Sequence, residues 1–246
     1  GTQIKFTPDF EIFGEMIKFK PSRLFKLIQS KAYLFSGVEI YWKCSEKCLT
    51  KSPEVPNEAK FHYPNGLIDY LKNSLIGETT YCLEPFSGNL DFGDLKQSDS
   101  VGSVEWAVNW APTSDGFLLS YCNTVNTSDG GTHETGFWNA LIKGIKSYGE
   151  LTGHKKSVQI TRDDLVTGAC GIISLFIREP EFVGQTKDRL ASSEATRLVE
   201  NAVRERFENW LANDPKSANL ILEYMLNRME ERHRRKSEKE TQRKSA

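Results

Sequence analysis

The chain has 246 residues, and its 32 basic and 33 acidic side chains nearly cancel. That length suits one large domain or two modest ones, and a hydrophobic content of 38% can furnish a core. The charge balance argues against a module whose purpose is to coat nucleic acid, since such modules carry a strong basic excess. The sequence has no secretory leader and no apolar run of about eighteen residues, so it indicates neither export nor membrane insertion.

Five cysteines occur along the chain, and they do not form a zinc pattern. Cys44 and Cys48 are spaced as C-x3-C, but no second Cys or His pair lies nearby to complete a tetrahedral site. We therefore expect no metal site and reduced thiols, as in a cytoplasmic protein.

The first sixty or so residues read as the end of a sandwich of sheet and helix. Gln3–Phe6 alternates like a strand, and Pro21–Phe35 has the apolar spacing of an amphipathic helix. Val38–Trp42 alternates like a second strand, and its returning partner is predicted at Phe61–Tyr63. The segment between them, Lys43–Lys60, has the composition of a surface loop.

A second unit is predicted from residue 65 onward. Leu67–Leu75 is a helix candidate and Leu90–Ser103 a polar loop. Val104–Trp110 alternates as a half-buried strand. Turn residues at 114–116 then predict that Phe117–Val125 is its hairpin partner.

The remaining elements are mostly helices. Gly136–Tyr148 has one apolar stripe, and Gly171–Ile177 is a continuous apolar run of the kind found in buried strands. Ser193 can cap a helix that runs to Leu211, and Asp214–Pro215 can start the last one. Strands, a helix, a strand and terminal helices predict an α+β fold.

Two adjacent glycines lie in Tyr121–Phe137, YCNTVNTSDGGTHETGF. Gly130 and Gly131 could let backbone amides face an anion, but the spacing of a P-loop and its lysine are absent. We interpret the segment as a tight strand-to-helix connection. His133 has no nucleophile and acid suggested around it, so we expect a packed or capping histidine rather than a catalytic one.

A lysine at the tip of a polar loop is predicted in Phe182–Leu190, FVGQTKDRL. Taken alone, Lys187 would be a solvated surface lysine. Together with GGTHETGF, and in this order, the segment resembles the transducer domain of the ATP-hydrolysing B subunits of bacterial type IIA topoisomerases. ELTGHKK and IREPEFVGQTK favour the topoisomerase IV branch of that family, and the gyrase branch stays open as the alternative.

The resemblance implies a fold and its domain boundaries. Residues 1–64 would be the C-terminal part of a GHKL-type ATPase α/β sandwich, and residues 65–227 a transducer resembling the ribosomal protein S5 domain 2-like fold. Residues 228–246 would be a charged helix or linker that leads toward a further domain. Because its basic and acidic side chains are interleaved, we prefer a solvated helix to a nucleic-acid tether.

The resemblance also implies a site. Lys187 and Gln185 would contact the γ-phosphate of ATP, with Lys187 in the catalytic role, and Thr2, from GTQIKF, would lie near the adenine. The full-length protein would bind ATP and Mg²⁺, whereas this part alone would bind neither. The chain starts at Gly1 rather than Met, so we expect part of a longer protein that by itself neither hydrolyses ATP nor cuts DNA.

The partners implied are the A subunit of topoisomerase IV in an A2B2 heterotetramer, DNA, and a second B subunit that joins when ATP binds. Two alternatives remain. The first is a non-enzymatic nucleic-acid or ribosome-associated module of the same fold, which would be expected to have a basic sheet face. A mismatch-repair or chaperone ATPase of the same superfamily would not be expected to carry both motifs together.

Overall fold

The computed structural model describes residues 1–14, 18–50, 52–94 and 101–245. The chain forms two compact units, residues 1–66 and 67–246. The first unit contains three helices and a two-stranded antiparallel sheet among its described residues: α1 (Phe10–Phe13), α2 (Pro21–Leu34), β1 (Glu39–Lys43), α3 (Glu46–Leu49) and β2 (Glu58–His62).

The core of the first unit lies between α2 and the two-stranded sheet. Ala32, Trp42, Val55 and Phe61 are buried there, and the indole nitrogen of Trp42 donates to the carbonyl of Pro56 at 2.9 Å. The predicted helix at Pro21–Phe35 and strand at Val38–Trp42 are confirmed within one residue at each end. The returning strand is also confirmed, although it starts earlier than predicted.

Two predictions in the first unit were wrong. Gln3–Phe6 is not a strand, because no described segment pairs with its backbone. The loop predicted at Lys43–Lys60 contains the helix α3 and ends in β2 at Glu58. Its Ser, Pro and charged residues indicate exposure to solvent. A short surface helix is exposed in the same way as a loop, so this composition does not distinguish the two.

The second unit is built around a mixed five-stranded sheet in the order β3-β4-β7-β5-β6. Its further elements in the described range are a small hairpin, five α-helices and two short 3₁₀ helices. The bounds are α4 (Leu67–Ser74), β3 (Phe86–Asp91), β4 (Gly102–Trp110), β5 (Phe117–Cys122), β6 (Val125–Asn126), α5 (Thr132–Leu151), α6 (Arg162–Val166), β7 (Ala169–Ile177), β8 (Phe182–Val183), β9 (Arg189–Leu190), α7 (Glu194–Asn213) and α8 (Pro215–Ser245).

Strand β7 takes the central place because it is apolar along almost its whole length, with Ser174 as its one polar residue. It pairs antiparallel with β4 and parallel with β5. The prediction that Phe117–Val125 is the hairpin partner of β4 was therefore wrong. The turn at 114–116 reverses the chain, but β7 inserts between the two strands and buries its apolar side chains on both faces.

The sheet is covered on both faces. On one face the buried side chains of β4 and β7 share a core with α5 and α7, including Trp106, Ile173, Phe137 and Phe207. On the other, α4 packs against β4 and β7, and the hydroxyl of Tyr70 lies 3.2 Å from that of Tyr121. Strand β4 is thus buried on both sides in its second half, rather than half-buried as predicted.

The polar loop predicted at Leu90–Ser103 is only partly tested. Leu90 and Asp91 belong to β3, and β4 already begins at Gly102, so both ends of the prediction were wrong. Residues 95–100 lie outside the described residues.

The predictions of α4, α5, β7, α7 and α8 are confirmed, and α5 is longer than predicted. Ser193 precedes α7 but its side chain makes no capping hydrogen bond, whereas Asp214 accepts from the amide of Ser217 at 3.1 Å.

Candidate functional site

The hairpin of β8 and β9 presents Lys187 to solvent. Phe182 pairs with Leu190 and Val183 with Arg189, so residues 184–188 connect the strands, and residues 184–187 are exposed. We name residues 182–190 the lysine hairpin. The predicted position of Lys187 in a polar loop is confirmed.

The backbone of Lys187 is strained. Its φ is 61°, and positive φ occurs at few non-glycine residues because the Cβ atom approaches the backbone carbonyl. Such strain persists only where the surrounding structure maintains it, and it concentrates at functional positions. Lys187 is therefore held in a costly conformation at the place where the family resemblance implies a phosphate contact.

The ammonium group of Lys187 is available to an anion. It lies 5.8 Å from the ring centroid of Phe182, a contact that contributes little when exposed. It forms no ion pair with any residue that the structure describes. Gln185 is exposed in the same loop, so both predicted residues lie on the lysine hairpin. Thr2 is exposed and without regular structure, in the other unit.

The double-glycine connection, residues 127–131, links β6 to α5. Gly130 has φ 70° and Gly131 φ 146°, and the amide of Gly130 donates to the carbonyl of Thr127 at 2.8 Å. Helix α5 begins at the next residue, Thr132. The interpretation of this segment as a tight strand-to-helix connection is confirmed.

The lysine hairpin is fastened to this connection. The amide of Asp129 donates to the carbonyl of Asp188 at 2.9 Å, and the amide of Leu190 donates to the carbonyl of Gly130 at 3.0 Å. The guanidinium of Arg189 donates to the carbonyl of Asp129 at 3.1 Å. We name these three hydrogen bonds the latch. Sequence reasoning did not find it, because nothing in either motif shows that they are neighbours in space.

Gly131 is required for this close approach. A Cβ atom on Gly131 would stand 2.5 Å from the carbonyl oxygen of Leu190 and 2.7 Å from its nitrogen. Both distances are far below van der Waals contact, so any side chain here would separate the two segments. The two adjacent glycines were the one sequence signal that could have indicated a close backbone neighbour.

His133 is a packed histidine, as predicted. It is fully buried, and its Nε2 lies 3.2 Å from the hydroxyl of Thr127, which in turn lies 2.7 Å from that of Ser120. Burial lowers its pKa to about 4, so the ring is neutral at physiological pH. It contacts no described nucleophile and acid pair, and its place in the site is structural.

The start of the charged C-terminal stretch is docked rather than solvated. Arg232 of α8 donates to both carboxylate oxygens of Asp164, at 3.0 and 2.9 Å, and to the carbonyl of Gln159 at 3.1 Å. Burial would raise the pKa of Asp164, but hydrogen bonds from Arg232 and Thr161 hold it below its ordinary value. The predicted solvated helix thus applies only beyond this contact.

Neither a metal cluster nor a membrane-spanning helix occurs among the described residues. That part of the chain contains no group of three His, Cys, Asp or Glu side chains arranged to hold a metal ion. Within it, every helix is too short or too polar to span a bilayer.

The mixed sheet, the lysine hairpin and the long terminal helix define an α+β protein of the predicted architecture. The chain belongs to the DNA gyrase B family, whose model matches residues 66–241. It is 48% identical to the B subunit of DNA topoisomerase 4 from Caulobacter vibrioides, with 100% of this chain and 35% of that protein aligned. For the corresponding topoisomerase 4 protein of Bartonella bacilliformis, the identity is 45% over 100% of this chain and 35% of the relative.

Solved structures agree with this assignment. The 43K ATPase domain of Thermus thermophilus gyrase B, determined in complex with an aminocoumarin, superposes with a TM-score of 0.75 at 26% identity. The match covers 96% of this chain and 60% of that one. The chain therefore spans about a third of the length of the curated relatives it matches, at 35%.

Proposed function

We propose that the chain is the part of a topoisomerase IV B subunit that couples ATP to the movement of a DNA gate. The family and the two topoisomerase 4 relatives support this proposal. The whole protein would pass one DNA duplex through another, in a cytoplasmic A2B2 heterotetramer formed with the A subunit. ATP binding would bring two B subunits together around the captured duplex.

The observation that carries the proposal is the ammonium of Lys187, which forms no ion pair with a described residue and lies on a strained loop. A lysine ammonium is a compact point charge suited to a terminal phosphate. Lys187 and Gln185 would contact the γ-phosphate, and Lys187 would stabilise the charge that develops during hydrolysis. Thr2 would lie near the adenine. These roles follow from the match of GQTK and GTQIKF to the family.

The rest of the nucleotide site would lie outside this chain. The amine of Lys187 and the amide of Gln185 fit a phosphate, but no described carboxylate cluster fits Mg²⁺. The general base and the Mg²⁺ ligands would therefore belong to other parts of the protein. We infer that this chain alone neither hydrolyses ATP nor cuts DNA.

The surface of the first unit supports a larger ATPase domain. Several large apolar side chains there are strongly exposed, at 83% for Ile4, 74% for Ile12 and 72% for Phe6. Exposed apolar patches of this kind mark surfaces that other parts of a protein cover. Residues 1–64 would thus be the end of a GHKL-type domain, residues 65–227 the transducer, and residues 228–246 the linker.

The coupling would use the different affinities of two conformations for nucleotide. While the γ-phosphate is present, its contact with Lys187 favours the closed state, and hydrolysis removes that contact. The lysine hairpin thereby reports the state of the nucleotide to the transducer.

The test reconstitutes the A2B2 heterotetramer from full-length proteins and supplies interlinked circular DNA with ATP. We expect ATP-dependent separation of the circles and no introduction of negative supercoils into relaxed DNA. Negative supercoiling would assign the protein to the gyrase branch. The absence of any ATP-dependent change in topology would overturn the proposal.

A further inference from the structure

We propose that the latch between the lysine hairpin and the double-glycine connection is the point where nucleotide-dependent force enters the transducer, with Gly131 and Arg189 as positioning residues. This inference rests on the proposed function of Lys187. It concerns what happens after Lys187 has bound, which neither the family assignment nor the relatives' names address.

The lysine hairpin keeps its own shape independently of the latch. Its strands pair with each other, the amide of Ala191 donates to the carbonyl of Glu181 at 2.8 Å, and the amide of Glu181 donates to the hydroxyl of Ser192 at the same distance. None of these bonds involves residues 127–131. The loop that carries Lys187 can therefore form even if the latch is broken.

The latch joins the hairpin to the start of α5. The connection ends at Gly131, and α5 begins at Thr132 without a side-chain cap. Because two latch bonds are backbone bonds, at the amide of Asp129 and the carbonyl of Gly130, a displacement of Asp188 or Leu190 is passed to the helix terminus two residues further on. The hairpin thus has a short, hydrogen-bonded link to a twenty-residue helix.

Helix α5 passes the displacement to α7. The hydroxyl of Thr196 in α7 donates to the carbonyl of Thr132 at 3.0 Å. Gly136 and Gly144 of α5 face α7 so closely that a Cβ atom on either would collide with Thr196 or Phe207. Helices packed at this distance move together, because a close-packed contact has no free space to absorb a shift.

The test compares A2B2 heterotetramers whose full-length B subunits carry Gly131→Ala or Gly153→Ala. Gly153 lies at the opposite end of α5, has φ 84° and has no atom within 4 Å of an added Cβ, so it controls for backbone strain alone. We expect Gly131→Ala to keep the kcat of DNA-stimulated ATP hydrolysis within about threefold, while strand passages per ATP fall at least fivefold, as expected for a loss of coupling. Gly153→Ala should leave that ratio unchanged.

Arg189→Ala provides a second variant in case Gly131→Ala does not fold. It removes one latch bond without placing an atom in the contact, so the ratio should fall about twofold or more with an unchanged thermal midpoint. The proposal would be overturned if both variants lost hydrolysis and strand passage in parallel. It would also be overturned if neither activity changed in either variant. Lys187→Ala separates the two proposals: if it leaves hydrolysis unchanged, the proposed function fails, whereas a failure confined to the latch leaves the role of Lys187 standing.

Discussion

At the scale of single residues, Lys187 combines a proposed contact with phosphate and an unfavourable backbone conformation. Its φ of 61° costs a non-glycine residue free energy that glycine would not lose. A loop under no functional demand would be expected to place glycine there, as it does at Gly184 with φ 75°. A lysine at this position, despite the backbone cost, is consistent with the proposed role of its ammonium group.

This gives a prediction about stability. Lys187→Gly should have a free energy of unfolding about 0.5–1 kcal/mol higher than Lys187→Ala, since both lack the amine and differ only in the backbone cost. Urea denaturation of the two variants measures the difference. Gly184→Ala is the matched control and should lower stability by a similar amount, because its φ of 75° is unfavourable for alanine while its Cβ would meet no atom within 4 Å. If the two Lys187 variants had equal free energies of unfolding while Gly184→Ala was destabilised, the backbone of Lys187 would not be strained.

His133 gives a prediction about pH. Its pKa is lowered from 6.5 in the unfolded chain to about 4 in the folded one, so the unfolded state binds a proton first as the pH falls. Stability from this residue is therefore full above pH 6.5 and is lost toward pH 4, by about 2 kcal/mol between pH 7 and 5.

The measurement is the free energy of unfolding at both pH values for the wild type and His133→Asn. The variant removes this titration but leaves the other groups, including Glu134, whose pKa burial raises. We expect the wild type to lose more stability than the variant on acidification. An identical pH dependence in the two proteins would show that His133 does not titrate as the structure indicates.

At the scale of elements, the contact of Arg232 with Asp164 anchors α8. Asp164 is almost completely buried, and the side chain of Arg232 is 35% exposed. Asp164 also caps α6 by accepting from the amide of Thr161 at 2.8 Å. One carboxylate thus fixes two helices, and its charge is compensated by Arg232.

Arg232→Ala should lower the free energy of unfolding by about 2 kcal/mol, because it leaves a buried carboxylate unpaired; the partial exposure of Arg232 makes this less than for a fully buried pair. Because the pKa of Asp164 is lowered in the folded state, its contribution is present above pH 3.8 and is lost in more acidic solution. Arg235→Ala is the control, since Arg235 only approaches Glu231 at 4.0 Å on the surface. Equal effects of both substitutions in urea denaturation would exclude a special role for Arg232.

Much of the helix pattern could be predicted from the sequence, while the order of the strands could not. Apolar spacing indicated α2 and α5, and the apolar run of β7 indicated a buried strand, because these signals are local. Strand β3 gave no such signal, since its sequence FSGNLD is rich in residues of low strand propensity and forms by pairing with β4 at an edge of the sheet. The insertion of β7 between β4 and β5 depends on contacts between residues 53 to 75 positions apart.

The candidate site shows the same division. Lys187 could be found because its loop resembles that of a known family, and the two glycines because they mark a local need for backbone freedom. The latch could not be found, since it joins Asp129 to Asp188 across the chain. The docking of Arg232 on Asp164 was missed for the same reason.

At the scale of the whole molecule, the proposal divides the ATPase between this chain and the parts of the protein outside it. The purified 246-residue chain should therefore show no ATP turnover above a protein-free blank. A phosphate-release assay with Mg²⁺ and ATP measures this. Turnover that persists through repeated purification would mean that the chain itself holds the general base and the metal ligands.

The steady-state ATPase rate of the full-length protein, wild type against Lys187→Ala, tests the central claim most directly. We expect kcat to fall about a hundredfold, which corresponds to roughly 2.7 kcal/mol of transition-state stabilisation. Arg178→Ala, in the exposed turn before the lysine hairpin, is the matched control and should retain the wild-type rate. An unchanged kcat in Lys187→Ala would contradict the account and make Lys187 an ordinary solvated lysine.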